Sequence, residues 1–347
     1  AYLNNKINIL EAEGINNLVN SETESQRKIY LNQSYGKSVD LCNKWREEVT
    51  NIYAMIDAKI EFTDEDENIS NENIRRLIKK VVDQIKNNIK KSYFGIQIRN
   101  GFNVLIFGPP NAGKSTLFNF LNKEEKAIIT SEAGTTRDLI SSSIDIDGYK
   151  FNFIDSAGIR TTNQKVEKLG ILKTKKKANE VDRLVLVLSP DCLNTQNILE
   201  LNELLQKLKE KNLIVIFNKS DLPDFKDKKI EWLKKALSLK KYPKITISCV
   251  SDQDNHKIEE KIYKFITTNL IQKTKNKSEH YYFTELRQIE HLKNCLRFLE
   301  SGYNLYKKAD LCAEEIRLAL KEIEKIKGNI DNEEKLGLIF SKFCIGK

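Results

Sequence analysis

The sequence predicts an α/β domain with a mixed, mostly parallel six-stranded sheet, inserted in an all-α domain built from both ends of the chain. Two observations carry this. Six short β-branched runs alternate with helix-length segments in the middle of the chain, and apolar residues at helical spacing dominate both flanks, which show no repeats. The zones are residues 1–99, 100–270 and 271–347.

In the first zone Val39, Leu41, Trp45, Val49, Ile52 and Ile56 recur near three-to-four spacing. A second helix follows through Ile74, Leu77, Ile78, Val81, Ile85 and Ile89, and the acidic stretch FTDEDENISNEN, from Phe62, reads as the loop between them. The middle zone offers the strands FNVLIF (from Phe102), SSSIDI (from Ser141), KFNFID (from Lys150), DRLVLVL (from Asp182), LIVIF (from Leu213) and ITISC (from Ile245). Asp147-Gly148 is a hairpin turn joining the second and third. Helix-length spacers between the others require parallel crossovers and a sheet covered on both faces. Beyond the Lys-rich IQKTKNKSEH, from Ile271, one stripe runs through Leu286, Ile289, Leu292, Leu296 and Leu299 and another through Leu311, Ile316, Leu320 and Ile323. Gly328-Asn329 reads as a helix stop before a last helix around Leu336, Ile339 and Phe340.

Composition narrows the class. The 347 residues are 40% hydrophobic and 31% charged, which suits a globular chain and argues against disorder. No apolar run is long enough to span a bilayer, and the start lacks a basic region followed by an apolar core. Beginning at Ala1 rather than Met, the sequence reads as a fragment or a processed chain. Six scattered cysteines without a C-x-x-C pair, and three histidines, support neither zinc nor a disulfide framework. Reduced thiols in a cytoplasm are expected, with no membrane partner. The net charge of +9 favours polyanions such as nucleic acid; an AT-rich coding bias toward Lys, Asn and Ile is the alternative source.

GPPNAGKST, Gly108 to Thr116, follows a strand and opens a helix, as G-x-x-x-x-G-K-[ST] requires. Its backbone amides and the helix N-terminus cradle phosphates, so Asn111, Ala112, Gly113, Lys114, Ser115 and Thr116 are candidate nucleotide contacts. Lys114 is expected on the β- and γ-phosphates and Ser115 on magnesium. NKSD, Asn218 to Asp221, follows the strand LIVIF. A carboxylate at Asp221 can accept from guanine N1–H and the exocyclic amine, a donor pair adenine lacks; buried, it would be left unpaired with ATP. Asn218 would brace the loop, Lys219 would lie along the base, and amides at Ser248 and Cys249 would meet guanine O6. These motifs predict a P-loop GTPase domain binding GTP and GDP. DSAG, from Asp155, places Asp155 on magnesium through water and the Gly158 amide on the γ-phosphate. Ile159-Arg160 follows, so no glutamine stands where Ras-like proteins orient water. Thr136, in TSEAGTTRD, would complete the magnesium shell or merely cap a loop.

Together with the terminal FCIGK, Phe343 to Lys347, and the opening LNNKINILEAEGINNLVNSETESQ, these motifs resemble the MnmE (TrmE) family of tRNA-modification GTPases over nearly the whole chain. The resemblance implies work with a flavoprotein, MnmG (GidA), to attach an aminomethyl-type group, commonly carboxymethylaminomethyl, to C5 of the tRNA wobble uridine. It implies G domains that pair as a homodimer, with potassium standing in for an arginine finger. Carried over, Asn111 would ligate potassium by its side chain and Thr130, Glu132 and Thr135 by backbone oxygens. Glu167 would orient the attacking water through a second water, against the alternative of a solvated helix glutamate. Cys344 would lie at the modification site, or be an ordinary packed thiol. The family also implies a preceding domain that binds a folate one-carbon donor and forms a constitutive dimer. This sequence starts after it, so GTPase activity is expected without folate chemistry or complete tRNA modification. Other readings are an Era- or Der-like ribosome-assembly GTPase, and a nucleotide-dependent scaffold.

Overall fold

A computed structural model describes residues 1–4, 6–61, 70–122, 141–155, 178, 180–192, 195–208, 212–223, 225, 227–250, 255–271 and 281–328. The chain divides into two compact units, one of Ala1–Arg99 with Ser278–Lys347 and one of Asn100–Lys277.

The first unit is helical. Its helices are α1 (Ile9–Val19), α2 (Glu24–Ser34), α3 (Lys37–Glu61) and α4 (Asn71–Asn100). The C-terminal flank adds two more in this unit, Leu286–Asn304 and Ala309–Lys327, labelled α9 and α10 in chain order. Asn8 and Thr23 close capping boxes with Glu11 and Gln26, which fixes where α1 and α2 begin. The core is built at four-three-four spacing: Trp45, Val49, Ile52 and Ile56 on α3 meet Ile74, Ile78, Val81 and Ile85 on α4 and Cys312, Ile316, Ala319 and Ile323 on α10. The indole N–H of Trp45 donates to Gln84 Oε1 at 2.9 Å, so this fully buried residue leaves no polar atom unpaired. α10 stops at Gly328, whose left-handed φ of 86° is the expected helix stop. Two expected stripe members are not core. Leu286 is 71% and Leu311 52% exposed; each lies in the first turn of its helix, where the buried face is carried instead by Gln288, Ile289, Cys312 and Ala313. The helix expected around Leu336 lies outside the described residues.

Chain ends separated by 274 residues meet at a buried ion pair. Glu13, 3% exposed, accepts from Gln288 Nε2 at 2.6 Å and Arg287 NH2 at 3.2 Å, while Arg287 NH1 donates to the Lys325 carbonyl at 3.0 Å. On the next turn His291 Nδ1 lies 2.8 Å from Glu322 Oε2, and Lys325 Nζ donates to Oε1 at 2.9 Å. Burial opposes ionisation of Glu322, but these two partners outweigh it and hold the carboxyl below its ordinary range. Its folded pKa is therefore lower than its unfolded one, so its contribution is present above the ordinary carboxylate range and is lost as pH falls through the folded value. Glu322→Gln should lose on the order of 1 kcal/mol at pH 7 and show a flatter acid limb in urea unfolding than the parent chain.

The second unit is a single sheet with strand order β2-β3-β1-β4-β5-β6. The strands are β1 (Phe102–Phe107), β2 (Ser141–Ile146), β3 (Tyr149–Asp155), β4 (Arg183–Leu188), β5 (Asn212–Phe217) and β6 (Lys244–Thr246). Its helices are α5 (Lys114–Leu121), α6 (Thr195–Lys207), α7 (Asp227–Ala236) and α8 (Asn255–Leu270). Only β2 and β3 are antiparallel; Asp147 and Gly148 between them take positive φ of 52° and 80°, the turn that matches strand twist. The other pairs are parallel. Every residue of β4 is buried, as a strand covered on both faces demands. The chain is thus a P-loop-type α/β domain inserted in a helical domain made from both chain ends. β6 is shorter than the ITISC expectation and ends at Thr246; Ile247 N–H donates to the Phe217 carbonyl at the end of β5, and the Ile247 carbonyl accepts from Ser220 N–H in the loop after β5. Among the described residues, no helix is long and apolar enough to cross a membrane.

Candidate functional site

In an open parallel sheet the usable crevice lies beyond the carboxyl ends of the strands. β1 ends at Phe107 and feeds the loop from Gly108, β3 ends at Asp155, which pairs in register with Ile106, and β5 ends at Phe217, just before Asn218. The phosphate and base motifs therefore converge on one edge although more than a hundred residues separate them.

The phosphate loop is turned by left-handed backbone at Asn111 (φ 60°) and Gly113 (φ 88°). Asparagine tolerates that region and glycine enters it without penalty. Gly113 has a second reason to lack a side chain, because a Cβ there would strike Nδ2 of Asn218. Lys114 opens α5, is 6% exposed, and donates from Nζ to the Pro109 carbonyl at 2.7 Å. An ammonium held over its own loop in this way is pre-placed to exchange a carbonyl for a phosphate oxygen. Ala112 is buried, whereas Asn111, Ser115 and Thr116 are exposed. Their hard oxygen atoms, beside a loop whose amides would seat phosphate oxygens, suit a cation that takes few protein ligands.

Asn218, 2% exposed, holds three loops at once. Its backbone N–H donates to the Leu188 carbonyl at 2.8 Å, its Nδ2 donates to the Ala112 carbonyl at 3.2 Å, and its Oδ1 accepts from the Cys249 N–H at 3.3 Å. The end of β4 and the loops after β1, β5 and β6 are thereby fixed relative to one another by one residue. Asp221 Oδ1 accepts from the Ser248 hydroxyl, which orients the carboxylate. Lys219, at a left-handed φ of 63°, extends its Nζ to within 2.8 Å of Asp191 Oδ2, while the other oxygen of Asp191 accepts from Ser189. Asp191 is a site residue that sequence reasoning missed. The available signal was an acidic residue three positions beyond the end of the strand RLVLVL, the one next to β5 in the sheet.

Two expectations need correction. Asp221 is exposed, so the desolvation that makes an unmatched base costly has to come from the base seating over it. The Cys249 N–H donates to Asn218 Oδ1, so Cys249 braces the base loop where an amide contact to guanine O6 is expected from the sequence, while Ser248 orients Asp221 through its hydroxyl. Burial, with the Asp221 carboxylate nearby, pushes the Cys249 thiol up to about 12, which makes it a packed and unreactive group. Of Asp155 only the backbone is described. Thr130, Glu132, Thr135, Thr136, Gly158, Glu167 and Cys344 lie outside the described residues.

A family model described as the MnmE helical domain matches residues 9–344. A protein named tRNA modification GTPase MnmE from Pelagibacter ubique (strain HTCC1062) is 38% identical over 357 residues, covering 100% of this chain and 75% of that protein. Proteins of the same name from Rickettsia bellii (strain RML369-C) and Aquifex aeolicus (strain VF5) are 37% and 34% identical, with the same coverages.

Proposed function

This chain belongs to the MnmE family of tRNA modification GTPases and hydrolyses GTP, and on that premise we propose that it is a potassium-activated enzyme whose G domains pair during turnover. Its task is C5 (carboxymethyl)aminomethyl modification of the tRNA wobble uridine, carried out with the flavoprotein MnmG in the cytoplasm.

The residues divide the work. Lys114 and the loop amides hold the phosphates, Asp221 reads guanine, and Asn218 keeps the two contacts at a fixed separation. Ser115, Thr136 and Asp155 would hold magnesium. Asn111, Thr130, Glu132 and Thr135 would hold potassium. Bound there, the two cations counter charge that develops on the phosphoryl oxygens in the transition state. Glu167 orients the attacking water, filling the role of the absent glutamine, and Cys344 belongs to the modification site.

The observation that supports potassium activation is the placement of Asn111. It is exposed, left-handed, and lies next to Ala112, whose carbonyl receives Asn218. Its amide oxygen is a hard neutral ligand, suited to an alkali cation. Asn111→Gly, which removes the amide without straining the left-handed backbone, should leave GTP affinity within a few-fold of the parent and remove the potassium response of steady-state turnover. A variant that keeps the full potassium response would rule out this ligand.

A further inference from the structure

We propose that the G domain carries an RNA-backbone docking surface at the end of α7, away from the nucleotide loops; it rests on the reading of the chain as a tRNA-modifying enzyme. From Trp232 to Val250 the sequence holds five lysines and no aspartate or glutamate. Helix α7 ends at Ala236, Ser238 turns the chain with a left-handed φ of 51°, and a single 3-10 turn, Leu239–Lys241, leads into β6. This path brings Lys235, Ser238, Lys240 and Lys241 around an open cavity of about 410 Å³. Lys244 is set beside them, its Nζ donating to the Lys240 carbonyl at 3.3 Å.

Three features distinguish this patch from an ordinary solvated face. Among the described residues no carboxylate pairs with Lys235, Lys240, Lys241 or Lys244, although ion pairs are frequent on the helical unit. A helix C-terminus gains from one cation in its last turn, a role that Lys235 fills; Lys240, Lys241 and Lys244 lie beyond the helix. Trp232 stands one turn before Lys235 on the same face of α7 and is 54% exposed, an unusual position for an indole. Lysines without a carboxylate partner among the described residues, around a cavity beside an exposed aromatic ring, match a phosphodiester backbone with a base free to stack; Lys241 lies over the Tyr242 ring and keeps its full charge. Because β6 runs parallel to β5 on the sheet edge, the turn before it faces the end of the sheet where strands begin, whereas GTP is read where they end. RNA can therefore dock here without entering the nucleotide site.

The test is tRNA binding by the full chain, followed by fluorescence anisotropy across a salt series. The charge-reversed chain Lys235→Glu/Lys240→Glu/Lys241→Glu should lose at least about tenfold in tRNA affinity at physiological salt. Its slope of log K against log salt should fall by roughly 2, at about 0.7–0.9 per lost phosphate contact. The milder Lys240→Ala/Lys241→Ala chain should shift both in the same direction, and GTP turnover of both should match the parent. Trp45 is fully buried, so tRNA should quench Trp232 emission selectively and the quench should vanish in Trp232→Phe. Unchanged affinity and slope in both lysine variants would overturn the proposal, as would a parent chain that does not bind tRNA. Competition by polyglutamate as effective as by tRNA would overturn the RNA assignment in favour of an acidic protein. Loss of potassium-dependent turnover counts against the enzymatic reading alone, since it leaves the tRNA readouts unaffected.

Discussion

Gly113→Ala should weaken GTP binding on the order of 10³-fold or more while the chain stays folded. The substitution is penalised twice. An alanine at φ 88° enters the left-handed region at a cost of roughly 1–2 kcal/mol. Its methyl would also collide with Asn218 Nδ2, so the buried amide must swing away from the Ala112 carbonyl and the Cys249 N–H. Each buried polar group left unpaired costs a further ~1–3 kcal/mol. These losses fall on the contacts that hold the phosphate loop against the base loop, so affinity registers them more than global stability does. Isothermal titration with GDP measures the effect, and Asn218→Ala separates its causes. If the collision dominates, the double variant binds no worse than Asn218→Ala alone. If the backbone dominates, the two losses add.

Asp221→Asn should cost on the order of 10³-fold in GTP affinity and transfer preference to a xanthine nucleotide. The carboxylate offers two acceptors to the N1–H and amino group of guanine. An asparagine amide offers one acceptor and sets its own N–H2 against the amino group of guanine, donor against donor. Xanthine carries a carbonyl at that carbon and restores the match. Ser248 can still donate to Oδ1 of the new side chain, so the substitution changes the hydrogen-bond code without releasing the side chain. Competition between GTP and xanthosine triphosphate checks it; an unchanged preference would mean that Asp221 does not face the base.

The parts of the fold legible in the sequence were those set by local pattern. β1, β4 and β5 are apolar but for Asn103, Arg183 and Asn212 near their starts because both faces of the sheet are covered, and Asp147-Gly148 marks its turn because two positive φ values are needed there. The length of β6 was not legible, since Ile247 is apolar enough to extend the strand and still donates to the Phe217 carbonyl, while its own carbonyl is met by Ser220 in the loop beyond β5. Leu286 and Leu311 carry the right hydrophobicity at the wrong helical phase, and Cys42, Cys295 and Cys312 occupy core positions because a free thiol packs as a small apolar group. In the site, Lys114, Asn218 and Asp221 came from motifs whose spacing mirrors the ligand. Asp191 did not, because its pairing with Lys219 depends on β4 lying beside β5 and on nothing local to either residue. The same holds for Glu13 with Arg287, where helix packing makes the contact.

Steady-state GTP hydrolysis in potassium chloride against sodium chloride tests cation-assisted turnover by paired G domains. Ionic strength should be matched and chain concentration varied over at least a hundredfold. Potassium should activate strongly, and specific activity should rise with chain concentration until pairing saturates. Equal slow rates in the two salts, independent of chain concentration, would contradict it.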